Sequence, residues 1–176
     1  MTGQPDQHRA PTSDRPLMPS GYGVPTTEQG MLPWSHARER LERAYVYWIA
    51  TTRPDGRPHV SPVWGVWVDD TLYFGGDPQT RRVRNLAAHP AIAVHLESDD
   101  DKDVVIVEGE AHELRAPDHA LAVRIAAAYA AKYASDGYEP SPDSWDGGGL
   151  SVMHPRVAFA WMDLSKDPTR WHFDAQ

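Results

Sequence analysis

The chain contains no cysteine, which excludes disulfides, thiolate nucleophiles and cysteine-ligated zinc or iron–sulfur centres. It is also short of positive charge: 17 Lys and Arg stand against 25 Asp and Glu, for a net charge of −8. A chain of that sign lacks the basic face that general nucleic-acid binding requires, although a local basic pocket is still allowed. No apolar run is long enough to span a bilayer, and the first residues hold no signal-peptide core. A cytoplasmic protein without nucleic-acid or membrane partners is the expectation. Nine histidines are present, but none forms an HExxH pair or a compact set with carboxylates, so no metal site is expected. A haem held by a single histidine stays open. Ser61 and Ser151 lack a GxSxG context, which argues against a serine nucleophile.

What is present divides the 176 residues into an N-terminal segment and one domain. Residues 1–30 carry five prolines and no apolar periodicity, and read as disordered or loosely attached. The alternative is an arm that crosses a partner subunit or covers a site. Residues 31–176 read as a folded domain. Ser35 is placed to cap a short helix that presents Trp34, Ala37, Leu41 and Ala44. Tyr45–Thr52 and Pro58–Val68 read as strands joined by a Pro54-Asp55-Gly56 turn. Pro62 lacks an N–H, so its strand should be an edge, a bulge or a ligand-facing opening. Asp69-Asp70 makes a second turn before a strand at Thr71–Phe74. A helix over Thr80–Ala88 stops before Pro90, and strands follow at Ala91–Glu97 and Val104–Leu114, with Gly109 a candidate bulge. The acidic run Asp99–Asp103 between them reads as a solvated hairpin turn. Asp118 caps a helix with an apolar stripe of Leu121, Ile125, Ala128, Tyr129 and Tyr133. A Gly/Pro/Asp loop over 136–150 precedes strands at Ser151–Leu164 and Thr169–Phe173. Short turns between neighbours imply a mainly antiparallel sheet, and so many short strands favour a small barrel over a sandwich.

Two constellations carry chemistry. Thr80, Arg81, Arg82, Arg84 and Asn85 open a helix with cationic and amide donors. Guanidinium forks and helix-start amides suit a phosphate. Arg81 and Arg84 share a helix face, and Arg82 points elsewhere. The competing reading is a solvated face whose arginines pair with the abundant acids. The second constellation is the strand His59-Val60-Ser61-Pro62-Val63-Trp64, with His59, Ser61 and Val63 on one face and Val60, Pro62 and Trp64 on the other. Backbone groups freed by Pro62 suit the edge of a planar heterocycle, and an ordinary bulged hairpin is the competing reading. Of the seven tryptophans, Trp64, Trp67, Trp161 and Trp171 are expected mostly in the core or at a subunit interface.

The ordered runs YWIATTRPDGRPHVSPVWGVWVDDTLYF, TRRVRNLAAHPAIAVHLE and VVIVEGEAHEL resemble the pyridoxamine 5′-phosphate oxidase-like superfamily over about residues 33–174. The likeness is nearest to flavin/deazaflavin oxidoreductases of actinobacterial type. The resemblance implies a mainly β (α+β) FMN-binding split β-barrel of six to seven mostly antiparallel strands with peripheral helices. It also implies a homodimer with cofactor sites at the subunit interface, binding FMN, coenzyme F420 or, in a few members, haem-type ligands. In the motif, Arg82, Arg84 and Asn85 would hold the phosphate, with Thr80 and Arg81 assisting. His59, Val60, Ser61, Pro62 and Val63 would border the ring. The further basic residues of true pyridoxamine phosphate oxidases are absent: only Arg156 and Arg170 stand near the C-terminus, without Arg-x-His spacing.

These features lead to an expected oxidoreductase that moves a hydride between F420 or FMN and a small planar or unsaturated substrate. The cofactor carries that chemistry, and the protein binds and orients. His59 and Tyr73 are the candidates for proton donation. Arg53, Arg57, Arg81, Arg82 and Arg84 suit the anionic tail of F420, and the actinobacterial composition tilts the choice towards it. The alternative is a flavin- or haem-binding carrier or sensor without turnover. A third reading, a structural dimer with an empty barrel, needs the arginines to be tied up by acids.

Overall fold

A computed structural model describes residues 10–98 and 102–174. Among them lie nine strands: β1 Thr12–Asp14, β2 Tyr47–Thr52, β3 Pro58–Val63, β4 Gly65–Val68, β5 Thr71–Gly75, β6 Ala91–His95, β7 Val104–Leu114, β8 Leu150–Trp161 and β9 Thr169–His172. The helices are α1 Trp34–Arg43, α2 Arg81–Ala88 and α3 His119–Tyr133. Every pairing is antiparallel, in the order β1-β9-β8-β7-β6-β2-β3. The long strand β8 divides the sheet. Along its other edge, β5 pairs with Leu150–Met153 and β9 pairs with Val157–Ala160. With β4 on the far side of β5, the sheet curls into a split, unclosed barrel.

Alternation along β2 sends Tyr47, Ile49 and Thr51 inward. They join Val94, Val105, Val107, Met153 and Trp171 in a core closed by Trp34, Ala37 and Leu41 of α1. A second core forms where Ile125, Ala126, Tyr129 and Tyr133 of α3 cover Val66, Tyr73, Leu150 and Val152. Helix α3 starts where expected: the Leu121 N–H donates to Asp118 Oδ1 at 3.1 Å. Gly109 marks a register shift in β7, where a Cβ would lie 2.1 Å from the His154 carbonyl. Pro62 stands opposite Trp48 on β3, the end strand of the order, so edge placement resolves its missing donor.

Several expectations need correction. Helix α1 begins at Trp34 after Pro33, whose side chain makes no cap, and Ser35 lies inside the first turn. Pro33 supplies the extended entry by its fixed φ instead. The strand expected over Pro58–Val68 breaks at Trp64, so β3 pairs with β2 while β4 pairs with β5. Gly65 permits this turn-over, since a Cβ there would lie 2.9 Å from the Tyr73 carbonyl. Residues 1–9 lie outside the described ones, as do residues 99–101 of the expected acidic turn. Residues 12–14 are a strand rather than a loose tail, because β1 pairs with β9 and Arg170 makes a two-pronged contact to Asp14 at 2.8 and 2.6 Å. Arg15 holds the following segment through the Thr27, Gln29 and Pro168 carbonyls.

Candidate functional site

The first turn of α2 faces the β2–β3 hairpin. Asn85, fully buried on the inner side of α2, donates to Thr51 Oγ1 at 2.9 Å, and Thr51 lies opposite His59 in the ladder. Asn85 therefore fixes the helix against the strand, and the residues that precede it turn outward. Arg53, Arg81 and Arg82 all lower the His59 pKa, after burial, which is the larger cause. Burial and three guanidinium charges thus act together on one imidazole and favour its uncharged form. Among the described residues none of Arg53, Arg81, Arg82 and Arg84 is in an ion pair with a carboxylate, whereas Arg38, Arg40, Arg43, Arg57, Arg115, Arg124, Arg156 and Arg170 all are. The reading in which acids tie up the cluster finds no ion pair in its support; Asp55, paired with Arg57, acts on Arg53 and Arg81 only through its charge.

Five polar atoms in this region are buried with no partner: Arg53 Nε, His59 Nδ1, Ser61 Oγ, Arg82 Nε and Asn85 Oδ1. An unmet buried donor costs roughly 1–3 kcal/mol, so their grouping fits a site built for a ligand rich in acceptors. These residues suit the phosphate and ring edge of a flavin-type cofactor. Arg84 is exposed on the same helix face as Arg81. Thr80 does not cap α2, since its hydroxyl donates to the Asp77 carbonyl at 2.8 Å and shapes the approach to the helix.

Beside the cationic rim lies a cleft of about 710 Å³. Pro62, Val63 and Trp64 form one wall, and Tyr138, Glu139 and Trp145 of the 137–149 loop form the other. Arg82 reaches into the cleft and donates from Nη2 to the Gly75 carbonyl at 2.8 Å. Its guanidinium packs where a Gly76 Cβ would be, 2.2 Å away, so only glycine admits it there. Burial lowers the Arg82 pKa. The loop is anchored by the Gly76 N–H donating to the Gly149 carbonyl at 2.9 Å. Trp64 stacks on Tyr133 at 4.7 Å and 12°, leaving its other side 39% exposed in total.

The structure brings His59, Ser61, Arg81 and Arg82 together and lines the neighbouring cleft with Pro62 and Val63. Val60 stands on the opposite, exposed face of β3. Three residues depart from expectation. Asn85 is buried beneath the rim, where its amide donates to Thr51 while Oδ1 is left without a partner. Tyr73 is buried under α3 and is not part of the cleft lining, its pKa raised by burial and then by Asp69. Arg57 is bound to Asp55 through Nε and Nη2 at 3.0 and 2.7 Å, which removes it from the basic groove. Sequence reading missed Tyr138, Glu139 and Trp145, whose signal was two aromatics and an acid among glycines in a segment taken only as a loop. It also missed Arg53 as a close neighbour of His59, although the hairpin turn implies it.

No curated protein sequence matches the chain. Solved structures do. An F420 reductase shares 26% identity, covering 69% of this chain and 94% of that one, with a TM-score of 0.52. A FAD-binding protein from Mesorhizobium loti shares 22%, covering 79% and 94%, with a TM-score of 0.55. The haem storage protein HutZ from Vibrio cholerae shares 17%, covering 75% and 95%, with a TM-score of 0.55. Arg156 and Arg170, the two late arginines, are paired with Glu110 and Asp14 and so are not placed for a substrate phosphate. The pyridoxamine 5′-phosphate oxidase family model matches residues 34–163, and together with the split antiparallel sheet it establishes that the chain belongs to that family.

Proposed function

We propose that the protein is an oxidoreductase that binds F420 or FMN and works on a small planar or unsaturated molecule. The observation that carries this reading is the rim of carboxylate-free arginines around His59, with its unpartnered buried donors, beside an aromatic cleft. Arg81 and Arg82, with Arg53 and Arg84 at the rim, would hold the phosphate, and β3 from His59 to Val63 would border the ring. When bound, such a cofactor supplies hydride chemistry. The chain's own groups bind it, orient it and exclude water. Neutral His59 accepts or donates one hydrogen bond but does not carry a proton to spare at pH 7.

Two chains are proposed to form the working unit. The outer face of the sheet shows Val60 53% exposed, and beside it Ala50, Ala91, Ala93 and Val157 line a depression of about 510 Å³. A second copy would cover this apolar ground. No helix of the described residues is long and apolar enough to cross a membrane, and a cytoplasmic location is part of the proposal.

Titration of the purified protein with FMN and with F420 tests the reading. Fluorescence quenching at micromolar affinity or better is expected for at least one, with one cofactor per chain and a dimer in sedimentation. If neither binds, the oxidoreductase reading fails. A carrier or sensor is the second reading. It is favoured by the placing of the two expected proton donors: Tyr73 is buried under α3 outside the lining of the cleft, and His59 is held towards its neutral form by burial and then by Arg53, Arg81 and Arg82. Retention of cofactor with no reoxidation by any planar acceptor would select it.

A further inference from the structure

The cleft itself points to a class of substrate. Its walls are aromatic: Trp64, Tyr138 and Trp145, backed by Tyr129 and Tyr133. Trp64 and Tyr138 are unusual in remaining 39% and 36% exposed at a site that is already concave. Trp64 is held flat by Tyr133 behind it and meets Tyr138 as a tilted neighbour, ring centroids 6.0 Å apart at 58°. That fixed ring surface suits stacking by a flat ligand.

The charges that line the cleft are Arg82, Asp77 and Glu139. Arg82 is half-buried, already gives one donor to Gly75, and leaves Nε without a partner. Asp77 is exposed and accepts the Gln79 N–H at 2.6 Å. Glu139 is exposed and has no ion-pair partner among the described residues. One inner guanidinium and two outer carboxylates give the cleft a negative mouth and a single inward donor. A phosphorylated or carboxylated ligand meets repulsion at that mouth, whereas a cation or an amine donor meets attraction.

We infer that the cleft takes a planar aromatic molecule that is neutral or cationic, stacked on Trp64 with an amine or positive edge turned to Glu139. The inference rests on the proposed function in one respect: the cofactor phosphate occupies the Arg53, Arg81 and Arg82 rim, so that the aromatic part of the cleft is left for the substrate. The cleft therefore discriminates by charge against the phosphate-bearing ligand that the rim holds.

Calorimetric titration with two probes of one ring and opposite charge, 1-methylquinolinium and quinoline-2-carboxylate, tests this. It is run on the protein with and without FMN, and FMN loading is read separately by flavin fluorescence. The cation is expected to bind at least about fivefold tighter than the carboxylate. Glu139→Gln should bring the two within about twofold, and Trp64→Ala should weaken both by about fivefold. Equal or reversed preference, or a preference that survives Glu139→Gln, overturns the assignment. Competition between FMN and the cation also overturns it, since the cofactor ring would then fill the cleft. If FMN fails to bind but the cation still binds with its preference, the cofactor reading falls and the cleft assignment holds.

Discussion

Lys132 on α3 and Arg82 at the start of α2 are both partly buried cations, and they differ in what their donors do. Lys132 Nζ donates to the Ala44 carbonyl at 2.8 Å, the Tyr47 hydroxyl at 3.1 Å and the Gly65 carbonyl at 3.2 Å. All three ammonium protons are used, and the ring of Tyr47 lies 5.1 Å away. Next to it, the Tyr133 hydroxyl accepts from the Gly65 N–H at 3.0 Å and donates within reach of the Tyr45 and Gly65 carbonyls. Burial pushes the Tyr133 pKa up to about 12, so the hydroxyl stays a donor. The arginine rim is the opposite case, with donors left over and no ion pair to a carboxylate among the described residues. Fully engaged donors mark a joint of the fold, and donors in surplus mark a place that expects a ligand.

This difference separates what mutation should do in each region. The largest effect is expected from Arg81→Ala combined with Arg82→Ala. Loss of two charged hydrogen-bonding groups at about 1.5–3 kcal/mol each should weaken FMN or F420 binding by 10²-fold or more, while the melting temperature holds or rises. A melting temperature that falls by many degrees with cofactor affinity intact would erase the distinction. Lys132→Met should do the reverse. Three acceptors lose their donor, for a cost of about 2–4 kcal/mol in denaturant unfolding, with cofactor affinity of the folded protein nearly unchanged. Gly76→Ala is smaller. The added Cβ displaces the Arg82 guanidinium from the cleft, and cofactor or cleft affinity should fall by about 1–2 kcal/mol.

The smallest effect is a pH dependence. Burial lowers the Lys132 pKa to about 8, below its ordinary 10.5, so the unfolded chain holds this proton more tightly than the folded one. The penalty is full below pH 8 and is relieved as pH rises from 8 towards 10.5. Between pH 7.5 and 9.5 the wild-type protein should gain on the order of 1–2 kcal/mol over Lys132→Met, measured as the difference of their unfolding curves. A difference that stays constant across that range would show that Lys132 titrates alike in both states.

Much of the architecture could be read from local chemistry. Asp118 before an apolar stripe, Gly109 in a long strand and Pro62 in a short one each stated a local need, and each need is met where it arose. The division of Pro58–Val68 was not legible, because the reason for it is the Tyr73 carbonyl against Gly65, a contact between separate strands. The candidate site was legible as a list of residues but not as a geometry. Asn85 and Arg82 lie three apart on one helix, yet one faces Thr51 inside and the other faces Gly75 in the cleft. Tyr73 was named from residue type alone, and α3 covers it. The far wall of the cleft comes from a loop some seventy residues after Trp64, which no spacing rule connects.

The edge strand β3 has a consequence for how copies of the chain meet. Residues 58, 60 and 62 point their backbone groups to one side, and the ladder with β2 is unbroken along all six positions. The two prolines are thus tolerated because that side faces away from β2. Val60 is then the one N–H available there for a strand from another molecule. Lateral growth into a continuous intermolecular sheet, the first step of fibrillar aggregation, is starved of donors at this edge. The pairing of two chains proposed above would use the broad face of the sheet instead.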